Sequence, residues 1–365
     1  MAVVSQNPWM LIFIAMISFF MYALRKKLPL SVEVIRASME AVWAHKAVLI
    51  LPMFSMIFHT IWLALCLLVY ARLHSFNWHE SDEKAGQYFA CLFGLFFYWI
   101  WTAELVRYLV DYITSSVVAS WVCFDTTVAG RRDKVVDEEH KFQANYPTTS
   151  AFRFAFFHNL GTIALASLVI AAIETLKFVV EIFGRDNDGR ETCVACIIKM
   201  LLNCIRDQLD YMNKYVITYC AIFNTSFCQG TQEFQYLMQE SGFGFTSFFQ
   251  DEVTGIIVMG AAVTIGMVTA AITMSAGVLF FGIVRYSTVG VMAFVFGTVV
   301  SLGALGVVKS AVTSLFICLV APETSPVFEE NHPESYARLS TAFKSGNDAT
   351  REFFSWLPSC FCVCF

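Results

Sequence analysis

Long runs of apolar residues recur along most of this chain, and no other feature of the sequence restricts its fold so strongly. A helix that crosses a lipid bilayer needs about 20 consecutive, mostly apolar residues. Seven segments reach or approach this length: 8–24, 47–73, 88–124, 154–183, 213–228, 253–283 and 289–321. The sequence therefore predicts an all-α protein, a polytopic transmembrane helical bundle with about seven spans.

The composition and charge exclude two other classes of protein. Hydrophobic residues make up 57% of the 365 positions and charged residues only 15%, which is not the composition of a soluble domain. The net charge of −5, with no long basic cluster, argues against nucleic acid as a partner. We expect a multi-pass integral protein of the plasma membrane or an intracellular membrane, with the lipid bilayer as its surroundings.

The organisation along the chain follows from the same runs. Residues 1–321 are predicted to form one transmembrane domain, and residues 322–365, with three prolines among charged residues, a loosely ordered cytoplasmic tail. The run 8–24 has basic residues after it rather than before it, which indicates a retained first helix and not a cleaved signal peptide. Stretches 31–46 and 193–212 have the pattern of amphipathic helices at a membrane surface.

Lysine and arginine near the ends of the spans predict the orientation. They are concentrated in the connection after the first run and in the connection after the third, at Arg25, Lys26, Lys27, Arg36 and Lys46, and at Arg131, Arg132, Lys134 and Lys141. Both connections should be cytoplasmic. With seven spans, the N-terminus then lies outside and the tail inside.

Ionisable residues within apolar runs are costly, so they are candidates for function. Glu104, Arg107 and Asp111 lie at helical spacing on one face, with aromatic residues before and after them. One interpretation is a cation or proton site, because ring faces and a carboxylate together hold a quaternary ammonium group. The other is a structural ladder in which Arg107 neutralises both acids.

Three further features have two interpretations each. Glu174 and Lys177 form either a helix-end ion pair or part of a proton relay, with the ion pair favoured. Lys309 either extends to the membrane surface or faces a cavity. The glycines of the last two runs indicate closely packed helices rather than a hinge.

Catalytic and metal-binding motifs are missing from the sequence. It has no P-loop, kinase, hydrolase or zinc-finger signature, and Cys193-x-x-Cys196 lacks a second ligand pair at the required spacing. An enzyme of lipid metabolism is disfavoured, since no histidine and acid cluster or paired aspartate motif occurs. We expect no enzymatic activity, no cofactor and no metal.

Two segments carry a family resemblance. They are residues 158–173, HNLGTIALASLVIAAI, and residues 213–228, NKYVITYCAIFNTSFC. Their glycine and small-residue step, at Gly161, Ala166 and Ser167, and their terminal Phe227 and Cys228 resemble the choline transporter-like family. Trp121 and the Leu-Phe-x-Cys of residues 315–318 match further positions, in order, between about Ser31 and Phe343.

The resemblance implies a transporter of about ten spans for choline or a related organic cation such as ethanolamine, with possible proton coupling. The family's first helix, its large extracellular loop and the next two helices have no counterpart, so we expect a shortened paralogue or an incomplete chain. The sequence also departs from the family pattern at Asn224, where glycine is usual, and at Thr313, where aspartate is usual.

The candidate substrate-binding residues combine carboxylates and aromatic rings in or beside the two spans richest in polar residues. They are Trp99, Trp101, Glu104, Asp111, Trp121, Tyr215, Tyr219 and Asn224. The alternative function is a non-transporting membrane scaffold or regulatory subunit derived from the same family. Cys360, Cys362 and Cys364 near the C-terminus are candidates for lipid attachment, against an unmodified cysteine-rich end.

Overall fold

Helices make up almost all of the described structure. The computed structural model describes residues 28–75, 82–123, 147–184, 193–241, 243–281 and 286–355, and within these ranges no strand occurs. The α-helices are α1 Leu28–Ala44, α2 Leu51–His74, α3 Asp82–Cys123, α4 Pro147–Phe157, α5 Leu160–Phe183, α6 Cys193–Phe223, α7 Phe227–Ser241, α8 Phe243–Phe281, α9 Tyr286–Val320, α10 Ser325–Asn331 and α11 Pro333–Ser355, with a short 3₁₀ helix, Lys46–Ile50, before α2.

Five helices are long and apolar enough to cross a membrane, and they confirm the predicted class. They cover Lys46–His74, Gly86–Cys123, Leu160–Ile182, Val253–Ala276 and Thr288–Val320. The first predicted span, 8–24, lies outside the described residues, as do Cys360, Cys362 and Cys364. With 42 residues, α3 is about 63 Å long, more than the roughly 40–45 Å of a whole bilayer, so it tilts or continues into water.

The core of the bundle surrounds α3, which packs against α2, α5, α6 and α9. The largest buried side chains there include Tyr108, Tyr112, Tyr215 and Phe316. By contrast, α2 leaves a row of large apolar side chains exposed along its length, among them Phe54, Ile61 and Leu68. Exposed apolar surface of this kind suits contact with lipid, so this face of α2 is suited to the membrane.

Glycines bring α8 and α9 close together, as the sequence predicted. A Cβ atom at Gly266 would overlap the hydroxyl oxygen of Thr298, and one at Gly297 would lie 3.0 Å from the Cβ of Thr269. Larger residues at these positions would force the helices apart. The interpretation as a closely packed pair is confirmed.

The predicted fifth span, 213–228, is wrong as a single helix. The helix α6 begins at Cys193, so it includes the stretch predicted to be a separate surface helix, and it ends at Phe223 before the non-helical residues 224–226. Residues 213–221 of α6 are buried against other helices. The side chain of Asn213, for example, donates to the carbonyl of Ala166 at 3.2 Å. A helix enclosed by protein carries polar residues that a lipid-facing span would exclude, and hydropathy alone therefore misjudged its limits.

A second break divides the predicted span 154–183. The helix α5 begins at Leu160, after a turn at His158 and Asn159 that separates it from α4. The two breaks are joined, because the Asn159 amide donates to Oδ1 of Asn224 at 2.9 Å. Asn224 has φ of 53°, in the left-handed region, where glycine is the least strained residue.

The expectation of a loosely ordered tail is wrong for its first half. The Asn331 side chain at the end of α10 donates to the carbonyls of Val122 and Cys123, at 2.9 and 3.0 Å. These carbonyls end α3 and lack partners within their own helix. On α11, Arg338 lies 3.6 Å from Glu33 and 3.4 Å from Glu40 of α1, the helix that the sequence predicted there. Polar residues that suggested disorder instead supply these contacts.

Substitutions at Asn224 should separate backbone strain from the loss of its side chain. Both Asn224→Gly and Asn224→Ala remove the bond from Asn159, but only alanine is strained at positive φ, by about 1–2 kcal/mol. We expect the glycine variant to unfold at the higher temperature in a thermal-shift assay in detergent. At the exposed helical residue Asn203 the order should reverse, since glycine costs a helix about 1 kcal/mol relative to alanine. If the glycine and alanine variants had the same order of unfolding temperature at both positions, backbone strain at Asn224 would be contradicted.

Candidate functional site

A cavity of about 1710 Å³ opens between α2, α3, α6 and α9. Its walls are largely apolar, with Pro52, Val110, Leu209 and Val307 among the lining residues. Its volume exceeds the range of about 300–1,000 Å³ that is usual for small-molecule sites. An apolar cavity of this size with a few charged groups has the general form of a ligand-binding site.

The guanidinium of Arg107 binds two carboxylates at this cavity. Its Nε lies 2.7 Å from Oε2 of Glu104, and its Nη2 lies 2.5 Å from Oδ1 of Asp210 on α6. The hydroxyl of Tyr108 donates to the same Asp210 oxygen at 2.9 Å. The predicted pair with Glu104 is confirmed. Asp210, which the sequence analysis did not single out, takes the place expected for Asp111.

Asp111 lies deeper in the cavity and has different surroundings. It accepts a short hydrogen bond from the Ser310 hydroxyl on α9. Within the described residues no Lys or Arg lies close enough to Asp111 for an ion pair, so the predicted direct pair with Arg107 is wrong, although Arg107 and Lys214 both act on this carboxylate by Coulomb attraction. One turn of helix separates the two residues, and Asp111 is directed toward α9 while Arg107 reaches α6.

Two lysines also line the cavity, Lys214 on α6 and Lys309 on α9. The sequence allowed the Lys309 side chain either to extend to the membrane surface or to face a cavity. The structure shows that it faces a cavity. The predicted ion pair at the far end of α5 is present too, with Lys177 Nζ 3.2 Å from Oε2 of Glu174. Arg206 of α6 contacts the same carboxylate, which makes the cluster a link between helices.

Three of the predicted aromatic residues pack away from this cavity. The indole of Trp101 donates to the Ala164 carbonyl at 3.3 Å and to the Ser167 hydroxyl at 3.1 Å. Trp99 contacts the ring of Phe96. Trp121 stacks on His332 of the tail, with ring centroids 3.9 Å apart. Trp101 therefore links α3 to α5, and Trp121 links α3 to the tail.

The two predicted tyrosines are buried in the bundle, and Asn224 lies at the helix break. The ring of Tyr215 packs between Tyr211 and Phe234, at centroid distances of 4.8 and 5.6 Å. Tyr219 contacts Phe223. None of the five predicted rings is among the residues that line the large cavity, so the structure does not gather them into a cage there.

The aromatic side chains that do line the cavity are Tyr211 and His59. Nδ1 of His59 lies 2.6 Å from the carbonyl oxygen of Ser55, which fixes the ring against α2. Neither Asp210 nor Tyr211 was a predicted site residue, because both fall in the stretch 193–212, which was predicted to form a helix at the membrane surface. The available signal was the spacing of Asp207, Asp210, Tyr211 and Lys214. They recur at intervals of three and four residues, which indicates that one helix face is charged.

Comparison with known proteins decides the family. The family model described as plasma-membrane choline transporter matches residues 9–323, most of the chain. The chain belongs to the choline transporter-like family. The resemblance noted in the sequence is thereby confirmed, and with it a multi-pass membrane protein of a transporter family rather than an enzyme family.

Curated relatives in the choline transporter-like family are distant. A CTL-like protein of Dictyostelium discoideum is 24% identical over 248 residues, which is 67% of this chain and 40% of the relative. Protein PNS1 of Kluyveromyces lactis is 22% identical over 254 residues, 64% of this chain and 43% of the relative. Choline transporter-like protein 5 of Mus musculus is 24% identical over 195 residues, 48% and 26% respectively. The matches thus span less than half the length of these relatives.

Neutralising Glu104 in this choline transporter-like chain should reduce stability rather than uptake. Glu104→Gln leaves Arg107 with Asp210 alone, and we expect a loss of about 1–2 kcal/mol. This is less than for a fully buried pair, since the Arg107 side chain is 40% exposed. Glu181→Gln, which removes a pair with Lys199 in which Glu181 is 48% exposed, is the matched control and should cost less. Thermal unfolding measures both. Lost choline uptake at unchanged stability would instead indicate a coupling role for Glu104.

Proposed function

We propose that this chain binds and transports a small organic cation, choline or an ethanolamine-like molecule, in the large cavity. The observation that carries the proposal is Asp111, a cavity-lining carboxylate that has a hydroxyl partner and, within the described residues, no ion pair. A carboxylate without a directly bound cation is costly in a membrane bundle, and the Coulomb attraction of Arg107 and Lys214 offsets this cost only in part. A bound cation would give Asp111 a direct partner of opposite charge.

The charges of the cavity fit a monovalent cation. Its described lining holds four carboxylates, Glu104, Asp111, Asp207 and Asp210, and three Lys or Arg residues, Arg107, Lys214 and Lys309. One negative charge is left over. Because Arg107 is already bound by Glu104 and Asp210, its repulsion of a cation at Asp111 is reduced.

The apolar walls suit the methyl groups of a quaternary ammonium ion. Such an ion cannot donate a hydrogen bond from nitrogen, so it is held by Coulomb attraction and by contact with apolar and aromatic surface. Val110, Leu209 and Val307 would contact the methyl groups, and Tyr211 supplies an aromatic face. Attraction between Asp111 and the ion is strengthened by the low polarity of the surroundings.

Proton coupling is proposed at the same carboxylate. A proton bound to Asp111 would remove the charge that holds the cation, so the two would compete for one group. Glu104 is less suited to this role because its charge already serves Arg107 at 2.7 Å. Binding of the cation would then release the proton from Asp111, or prevent a proton from binding there.

A non-transporting scaffold is the second candidate, and the neutralised Glu104–Arg107–Asp210 cluster favours it. This cluster and the packed rings of Trp101, Trp121 and Tyr215 have structural partners that require no ligand. Binding of choline without uptake in proteoliposomes would support the scaffold.

Replacing Asp111 with asparagine tests the proposed transport site. Asp111→Asn should weaken choline binding at least about tenfold, equivalent to about 1.4 kcal/mol. Radiolabelled choline uptake into proteoliposomes and equilibrium binding in detergent measure the two steps. The control is Asp207→Asn, which removes the same charge from the same cavity at a side chain that is 73% exposed and screened by water. Equal effects of the two variants would show that general charge, and not Asp111, attracts the cation.

A further inference from the structure

A second, smaller pocket of about 170 Å³ lies farther along the same helices, toward the C-terminal ends of α3 and α6. Its lining is rich in hydroxyl and amide groups, from Ser116, Ser120, Ser150 and Asn224. It also lies against one helix break at Asn224, which bonds to Asn159 of the other break. In membrane proteins, irregular backbone is tolerated where it is enclosed by protein or lines a cavity, and broken helices are frequent at substrate routes.

The two pockets are close along each helix. On α3, Asp111 lines the large cavity, whereas Tyr112 and Ser116 line the small pocket. On α6, Lys214 lines the large cavity and Ala221 the small pocket, seven residues and about 10 Å farther on. Only about two helical turns of closed bundle therefore separate the cavities.

Buried hydroxyl groups occur in this closed layer beside apolar side chains such as Ile217 and Leu315. The hydroxyl oxygens of Ser115 on α3 and Thr218 on α6 lie 3.3 Å apart, and both side chains are almost completely buried. The third helix, α9, contributes Thr313 and Ser314, which are equally buried. A barrier with no role other than packing would be expected to be apolar, because burying a hydroxyl brings no hydrophobic gain.

These hydroxyls do not depend on the closed state for their hydrogen bonds. Ser115 donates to the Asp111 carbonyl and Thr218 to the Lys214 carbonyl, each at its own helix's preceding turn. Ser314 likewise donates to the Ser310 carbonyl. If the three helices separated, the same groups would be free to accept hydrogen bonds from water or a ligand while keeping these bonds. The layer can open without leaving an unpaired donor.

We infer that the small pocket is the opposite end of the cation's route, and that the layer around Ser115 and Thr218 is the barrier closed in this conformation. The inference extends the proposed function, on which its transport step rests. The described lining of the small pocket contains no Asp or Glu, so a cation there would be held less firmly than at Asp111. A weaker site beyond the barrier is suited to release.

The orientation predicted from charge assigns a side to each pocket. The connection that follows α3 carries Arg131, Arg132, Lys134 and Lys141 and is predicted to be cytoplasmic. The small pocket, at that end of α3, would then face the cytoplasm. The large cavity would be open to the other side, which makes this conformation outward-facing.

Labelling of single cysteines from each side of the membrane tests the two-ended route without any ligand. Cys204 lines the large cavity, and Ser120→Cys, made together with Cys123→Ser to remove the native thiol of the small pocket, introduces one thiol there. In oriented proteoliposomes, a membrane-impermeant alkylating reagent should modify Cys204 from one side and Ser120→Cys only from the other. Mass spectrometry reads each cysteine-containing peptide separately. The buried Cys318 is the unreactive control, and the exposed Cys228 is the positive control for the labelling reaction. Reaction of Ser120→Cys from the Cys204 side, or from neither side, would overturn the inference.

Transport measurements test the barrier itself. Thr218→Val keeps the shape of the side chain but removes its hydroxyl, and we expect choline uptake to fall at least tenfold while choline binding stays within twofold. Thr175→Val, at a threonine of α5 that is equally buried and bonded to its own helix, should leave uptake unchanged. Full uptake by Thr218→Val would overturn the role of the layer. Absence of choline binding to the unmodified protein would instead refute the proposed function and leave the labelling result intact.

Discussion

The guanidinium of Arg107 is the charge around which the centre of this bundle is arranged. It lies on the longest helix, α3, and a charge there must be neutralised before the helix can be surrounded by apolar protein and lipid. Glu104 on the same helix and Asp210 on α6 share that task, at 2.7 and 2.5 Å. Because Asp210 comes from another helix, neutralisation also fixes how α3 and α6 lie against each other. The positions of Tyr108, Asp111 and Tyr211 follow from that arrangement.

One helix face thus carries acids with separate tasks. The carboxylate of Glu104 binds Arg107. Asp111 lies one turn beyond Arg107 and accepts a hydrogen bond from a serine of α9. The separation matters in a transporter family, because a carboxylate that is permanently paired cannot exchange its partner for a substrate. Stability and substrate attraction can be assigned to different acids only because α6 contributes Asp210. A helix pair without that residue would have to use Asp111 for both.

The membrane class and five spans were predictable, because runs such as 47–73 and 289–321 are long and apolar enough to cross a membrane. The limits of α6 were not, since its residues 213–221 are enclosed by other helices and need no apolar surface toward lipid. Within the site, Glu104 and Arg107 were predictable from spacing along one helix. Asp210 and Ser310 were not, because their partners on α3 are about 100 and 199 residues away in sequence. The sequence has Asn224 where the family pattern has glycine. Only the backbone angle of Asn224, which glycine would adopt without strain, explains that preference for glycine.

The contact between the tail and α3 has a consequence for biosynthesis. The carbonyls of Val122 and Cys123 receive their hydrogen bonds from Asn331, 209 and 208 residues later. At about 5–20 residues per second, a ribosome reaches that asparagine roughly 10–40 s after completing the helix. During that interval water or a chaperone must satisfy the exposed carbonyls. The C-terminal end of the central helix is therefore completed long after the helix itself is synthesised, and nascent chains that stop short of residue 331 carry an open helix end that quality control can recognise.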